Sequence, residues 1–155
     1  MRGSSARIAF ARGEDRLASA LCAAELGEPL DGDGDEASLA AELVSGIARL
    51  RATVPFATLC LLARLTPSRS VEVRAQVARA LPWLADLYPE RVEELLALLA
   101  CDASRLVRAA VSTALAEVLL LVRDPRSLIE RWEKTPPRAR EALRSARRRL
   151  PALDP

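Results

Sequence analysis

Apolar residues recur at helical spacing through most of the chain, and the pattern itself repeats. Val73, Val77, Leu81 and Leu84 fall on one face of a helix opened by Ser70. The segment Val73-Arg74-Ala75-Gln76-Val77-Ala78-Arg79-Ala80-Leu81 is followed 34 residues later by Val107-Arg108-Ala109-Ala110-Val111-Ser112-Thr113-Ala114-Leu115. A step of 34 residues back from Val73 lands on Leu39, with Leu43 and Ile47 at the same i, i+4, i+8 positions. A fixed period of this length predicts stacked helical hairpins, each too small to bury its own apolar face.

Turn chemistry divides the chain at the same interval. A first helix is expected from Glu14 to Leu26, stopped by Gly27, and a second from Glu36 to Arg51, capped by Asp35. Thr53-Val54-Pro55 opens the next, and Pro89 fits a first helical position, where a missing N–H costs nothing. Pro82 lies inside an apolar pattern and is expected to kink its helix. Asp102, Asp124-Pro125 and Thr135-Pro136 start the remaining helices. Eight helices in four pairs follow, at about 13–51, 54–87, 89–122 and 125–149. Residues 1–12 are expected to be a flexible N-terminal segment and 13–150 a single repeat domain.

Composition narrows the chemistry. Half of the residues are apolar, but the aromatics number only five (Phe10, Phe56, Trp83, Tyr88, Trp132), so the core must be built from Leu, Val and Ala. That suits close-packed helices. Both tryptophans read as packing residues. There is no histidine, which removes the commonest general base, nucleophile activator and metal ligand. Cys22, Cys60 and Cys101 are widely spaced and read as buried apolar residues in a reducing, cytoplasmic setting. Met1-Arg2-Gly3-Ser4 resembles an expression leader, and no apolar stretch approaches a membrane span or a signal peptide.

The net charge of +2 conceals a segregation. Leu17 to Ala48 carries seven acidic residues and no cation, whereas Arg123 to Arg149 carries ten cations against Asp124, Glu130, Glu133 and Glu141. The two ends are expected to have opposite sign, which can orient a partner or a second copy.

Leu95 to Ala110 resembles a HEAT repeat: an apolar helix (Leu95 to Leu99), a turn containing Asp102, Val107-Arg108, and an Ala-rich second helix. The preceding unit has Val73-Arg74 but Ser68 in place of the turn Asp. The final unit keeps Arg140 and Leu143 with Ala139 in place of Val, and the first has Ala40 in place of Arg. The resemblance covers residues 36–149 and implies an all-α, right-handed α-α superhelix, a solenoid of about four HEAT-like hairpins. It also implies that Arg74, Asp102 and Arg108 knit neighbouring turns together. Degenerate outer units are what the two ends of an array require.

The implied function is non-catalytic: an adaptor binding another protein through the inner face of its second helices. Offsets from the apolar positions place Gln76, Arg79, Thr113 and Glu117 there. Arg140, Arg144, Arg147 and Arg148 form a second candidate surface on the last helix, since several of these spacings share a helical face. Its ordinary reading is a solvated face complementing the helix C-terminus, and its functional reading is an anion or nucleic-acid site. Nucleic acid is the alternative partner, and self-association through the charged ends a third reading. No catalytic residue, cofactor or metal is assigned. DNA-glycosylase activity, which the fold class permits, lacks the required aromatic-lined cleft, and a phycobilin-lyase role lacks a cavity of titratable groups. The Asp31-Gly32-Asp33-Gly34-Asp35 loop with Glu42 imitates a calcium loop, but Glu36 occupies the position where Gly is needed, so it reads as an acidic linker. The apolar run Val118 to Val122 is expected to be buried.

Overall fold

Helix starts and stops follow the capping chemistry of the sequence in a computed structural model that describes residues 12–30 and 35–150. Apart from Arg12, the expected flexible segment 1–12 lies outside the described residues, as does the 31–34 stretch of the acidic loop. Helix α1 (Arg12–Leu26) stops at Gly27, whose φ of 72° is a left-handed conformation that other residues adopt at a cost. The Asp35 side chain accepts from the Ser38 N–H and caps α2 (Glu36–Ser45). Proline occupies the first turn of α4 (Pro55–Leu65), α6 (Pro89–Ala100), α8 (Pro125–Glu133) and α9 (Pro137–Arg149). Ser70 caps α5 (Val71–Ala80) through the Val73 N–H, and Asp124 caps α8 through the Ser127 N–H. For α7 (Arg105–Leu121) the capping position is Ser104, not Asp102.

The expected helix 36–51 is divided at Gly46 into α2 and α3 (Ile47–Thr53), giving nine α-helices among the described residues. Gly46 has φ −98° and ψ 6°, off helical values, and lacks the side chain that would favour the helical well. Thirty-four residues on, α5 ends at Ala80 and passes into a 3-10 turn, Leu81–Leu84. Pro82 therefore ends its α-helix instead of kinking it, because proline cannot supply the next i to i−4 donor. The third copy of this position, Ala114, lies inside an unbroken α7.

The second helices pack in chain order: α5 lies against α2 on one side and α7 on the other, and α7 against α5 and α9. In addition, α1 packs on α4, α6 on α7, and α8 on α9. The all-helical core is almost entirely aliphatic, with Leu61, Leu81, Leu96, Val73 and Val107 fully buried. Among the described residues, Trp132 is the one large aromatic side chain enclosed in it. Each enclosed leucine contributes about 2 kcal/mol by removal from water.

Arginines fasten successive units. Arg64 of α4 donates to the Glu28 carbonyl at 2.6 Å, Arg51 of α3 to the Trp83 carbonyl at 2.8 Å, and Arg131 of α8 to both carboxylate oxygens of Glu93 at 3.0 and 2.8 Å. These partners lie 32 to 38 residues apart in sequence, about one repeat.

Candidate functional site

A largely covered ion pair joins two residues that the sequence pattern assigns to the repeat frame. Arg74 donates to Asp102 through Nε at 2.6 Å and through Nη2 at 3.1 Å, a two-pronged guanidinium–carboxylate pair. Its Nη1 donates to the carbonyls of Ser68 and Arg69, closing its own turn. Asp102 also accepts from the Ser104 N–H at 2.8 Å. Both side chains are more than four-fifths covered, at 16% and 11% exposure. The Arg74 hydrogen bonds hold the Asp102 carboxyl below its ordinary value, and the same contact raises Arg74. One unit earlier Ser68 occupies the turn position; its hydroxyl accepts from the Ser70 N–H and bonds the Glu36 carboxylate. Where the first unit has Ala40 in place of an arginine, a hydroxyl–carboxylate contact takes over the tie.

The four candidates on the second helices do not form one surface. Gln76 is half-buried, with a long 3.4 Å hydrogen bond to Glu72 and a covered Oε1 that has no partner. Arg79 is exposed and lies 3.9 Å from Glu72. Thr113 turns back onto its own helix, donating to the Ala109 carbonyl at 3.3 Å. Glu117 borders a groove of about 320 Å³ lined also by Arg51, Pro82, Trp83, Asp86 and Leu121.

That groove corrects two expectations. Trp83 is 47% exposed, not a packing residue. The 3-10 turn advances three residues per turn instead of 3.6, and its core-facing positions are taken by Leu81, Pro82 and Leu84. Within the run 118–122, Val118 and Leu119 are buried, but Leu120 and Leu121 are 66% and 55% exposed. Consecutive residues of a helix point 100° apart, so neighbours on two sides cannot cover them all. The mouth of the groove is charged: Arg51 pairs with Asp86, and Glu117 stands opposite.

The four arginine candidates of α9 also divide. Its buried face is Ala139, Ala142, Leu143 and Ala146. Arg140 and Arg144 are exposed to one side of that face, and Arg147 on the same side lies 3.8 Å from Glu133 of α8. Arg148 lies on the other side, toward α7, where it joins Arg108 of the repeat frame and residues that the sequence pattern did not place with it. Arg105, Arg108, Arg138 and Arg148 line one cleft of about 240 Å³ with Ser112, Ser145 and Glu141.

The thiols depart from the expected burial. Cys22 and Cys101 are exposed, and Cys60 is half-covered, with burial followed by the Glu25 charge raising its thiol above the ordinary value. Among the described residues, no three Cys, Asp or Glu side chains converge as a metal-ligand set, and no helix is long and apolar enough to cross a membrane. Compared with models of known families, with curated proteins and with solved structures, the chain matches none.

Proposed function

We propose that this chain is a non-catalytic, cytoplasmic protein-binding adaptor, a right-handed HEAT-like solenoid of about four helical hairpins. The stacking of α2, α5, α7 and α9 in chain order, and the Arg74–Asp102 tie between neighbouring turns, support the repeat reading. The observation that carries the binding reading is Trp83. A half-exposed tryptophan beside Pro82 and Leu121, ringed by Arg51, Asp86 and Glu117, has the make-up of an interface centre: an aromatic anchor in an apolar recess with a charged rim. Leaving such a side chain in water costs free energy that a partner recovers on covering it. The partner is a protein segment with an apolar side chain that enters the groove.

Affinity capture from lysate of the source cells, with and without nuclease, tests this. Wild type is compared with Trp83→Ala and with Arg140/Arg144/Arg147/Arg148→Glu. A nuclease-resistant protein partner lost in Trp83→Ala and retained by the arginine variant is the expected result. Recovery of nucleic acid, abolished by nuclease and by the arginine changes, would overturn the adaptor reading in favour of a nucleic-acid-binding module. Trp83→Ala is expected to melt within about 2 °C of wild type, since surface substitutions change stability by about 0.5 kcal/mol or less.

A further inference from the structure

The repeat frame of the second helices is not kept at the turn position, and at the last junction the change leaves a guanidinium without a carboxylate from the next turn. Two residues before the capping positions of α5, α7 and α9 (Ser70, Ser104 and Pro136) stand Ser68, Asp102 and Lys134. Four residues after the same positions stand Arg74, Arg108 and Arg140. Arg74 uses Nη1 for the carbonyls of its own turn and its Nε–Nη2 edge for the carboxylate of the next. Arg108 repeats the first half, with Nη1 2.8 Å from the carbonyls of both Asp102 and Ala103. For the second half, the next turn offers Lys134, a cation, at the register position of Asp102. Arg108 forms no salt bridge among the described residues.

Arg108 also lines a cleft between α7 and α9 in which further guanidinium groups gather. Arg105 and Arg108 come from the first turn of α7, and Arg138 and Arg148 from the α9 face opposite. Arg138 donates to the Cys101 carbonyl at a long 3.4 Å, and none of the four arginines forms a salt bridge among the described residues. Against four guanidinium groups the lining holds one carboxylate, Glu141, a formal balance of +3. Ser112 and Ser145 add hydroxyl groups at the wall, and Ala109 and Ala142 leave room between the helices.

We propose that this cleft is a binding site for a small phosphate monoester, whose dianionic head takes the place that the Asp102 carboxylate fills for Arg74. A phosphate matches the site better than a carboxylate. It brings two charges to a +3 lining and three terminal oxygens, enough to meet guanidinium forks from both helices at once. Like-charged side chains gathered in one cleft repel, so the site gains more from a dianion than isolated surface arginines would. The site is separate from the Trp83 groove, which shares none of its lining residues.

The test is thermal melting and titration calorimetry of the full chain with inorganic phosphate, against chloride at equal ionic strength. Phosphate is expected to saturate the calorimetric isotherm and to raise Tm with the logarithm of its concentration, by about 4 °C at tenfold excess over Kd. Arg138→Gln and Arg148→Gln change exposed side chains, keep the helical circular dichroism spectrum, and are each expected to weaken binding about tenfold. Glu141→Gln removes the opposing charge and is expected to tighten it several-fold. Lys134→Asp places a carboxylate in register with Arg108; it should raise Tm in chloride and remove the phosphate response. Equal melting in phosphate and chloride would overturn the site, as would a phosphate response that Arg138→Gln and Arg148→Gln leave intact. A response unchanged in Lys134→Asp would overturn the idea that the ligand replaces the missing carboxylate. A single-stranded oligonucleotide that binds far more tightly than phosphate, with steep salt dependence, would reassign the cleft to nucleic acid.

Discussion

Arg74 and Arg108 occupy the same place in successive units, 34 residues apart, and meet opposite surroundings. Arg74 closes its own turn and then clasps Asp102 of the next one. Arg108 closes its own turn in the same way, and the following turn presents Lys134 where a carboxylate would complete the pair. One junction is a finished structural joint. The other retains the cation and omits the anion. A repeated residue is thus not assigned one role by its position in the repeat; the unit that follows decides whether its charge is spent on the fold or left for a ligand.

Removing each arginine in turn is the sharpest way to break this comparison. Arg74→Met leaves Asp102 largely covered and unpaired, and should lower the unfolding free energy by about 3 kcal/mol. Arg108→Met removes bonds to turn carbonyls and a lesser charge attraction to Asp102, and should cost about 1 kcal/mol. Urea denaturation of both variants checks the ratio, and equal losses would mean that the two junctions are energetically alike.

Acid should dissolve the distinction. The Arg74 hydrogen bonds lower the folded-state value of Asp102 below its ordinary 3.8, so the tie contributes fully above that pH and is lost as pH falls through the lowered value. Wild type is therefore expected to lose stability more steeply than Arg74→Met below about pH 4, with their difference narrowing toward strong acid. Parallel pH–stability curves for the two proteins would contradict the assignment.

The smallest effect concerns how successive second helices are interrupted. Gly46 separates α2 from α3, whereas Pro82 converts the end of α5 into a 3-10 turn. At Gly46 a Cβ would lie 3.4 Å from the Glu42 carbonyl oxygen, and φ of −98° is open to alanine. Gly46→Ala should stabilise the chain by about 0.5 kcal/mol and raise its helical circular dichroism slightly, by reducing the freedom of the unfolded chain. No comparable gain is available at Pro82, whose buried ring fills the turn.

Local chemistry made the helix framework legible: Asp35, Ser70 and Asp124 cap where their side chains can reach an N–H, and prolines open four helices. Breaks inside the helices were less legible. Glycine costs a helix only about 1 kcal/mol, so packing decides whether the helix continues through it. Trp83, next to Pro82, reads in the sequence as a packing residue, and the change to three residues per turn leaves it outward. Counting arginines along α9 likewise placed Arg148 with Arg144 and Arg147, though it lines a cleft with Arg105 and Arg108 of another helix. A site assembled across two helices has no period of its own. Its one trace in the sequence was Lys134 standing in the turn position that Asp102 holds one unit earlier.

The two tryptophans divide inside from outside. Trp132 is 1% exposed within α8, and Trp83 is 47% exposed at the groove. The chain thereby carries two intrinsic optical probes in unlike solvents. The enclosed indole emits to the blue, is shielded from an aqueous quencher, and reports global unfolding. The surface indole emits to the red, is quenched freely, and responds when the groove is covered. With Trp83→Phe and Trp132→Phe to separate the signals, occupancy of the groove and integrity of the fold can be followed at once, in solution and without an added label.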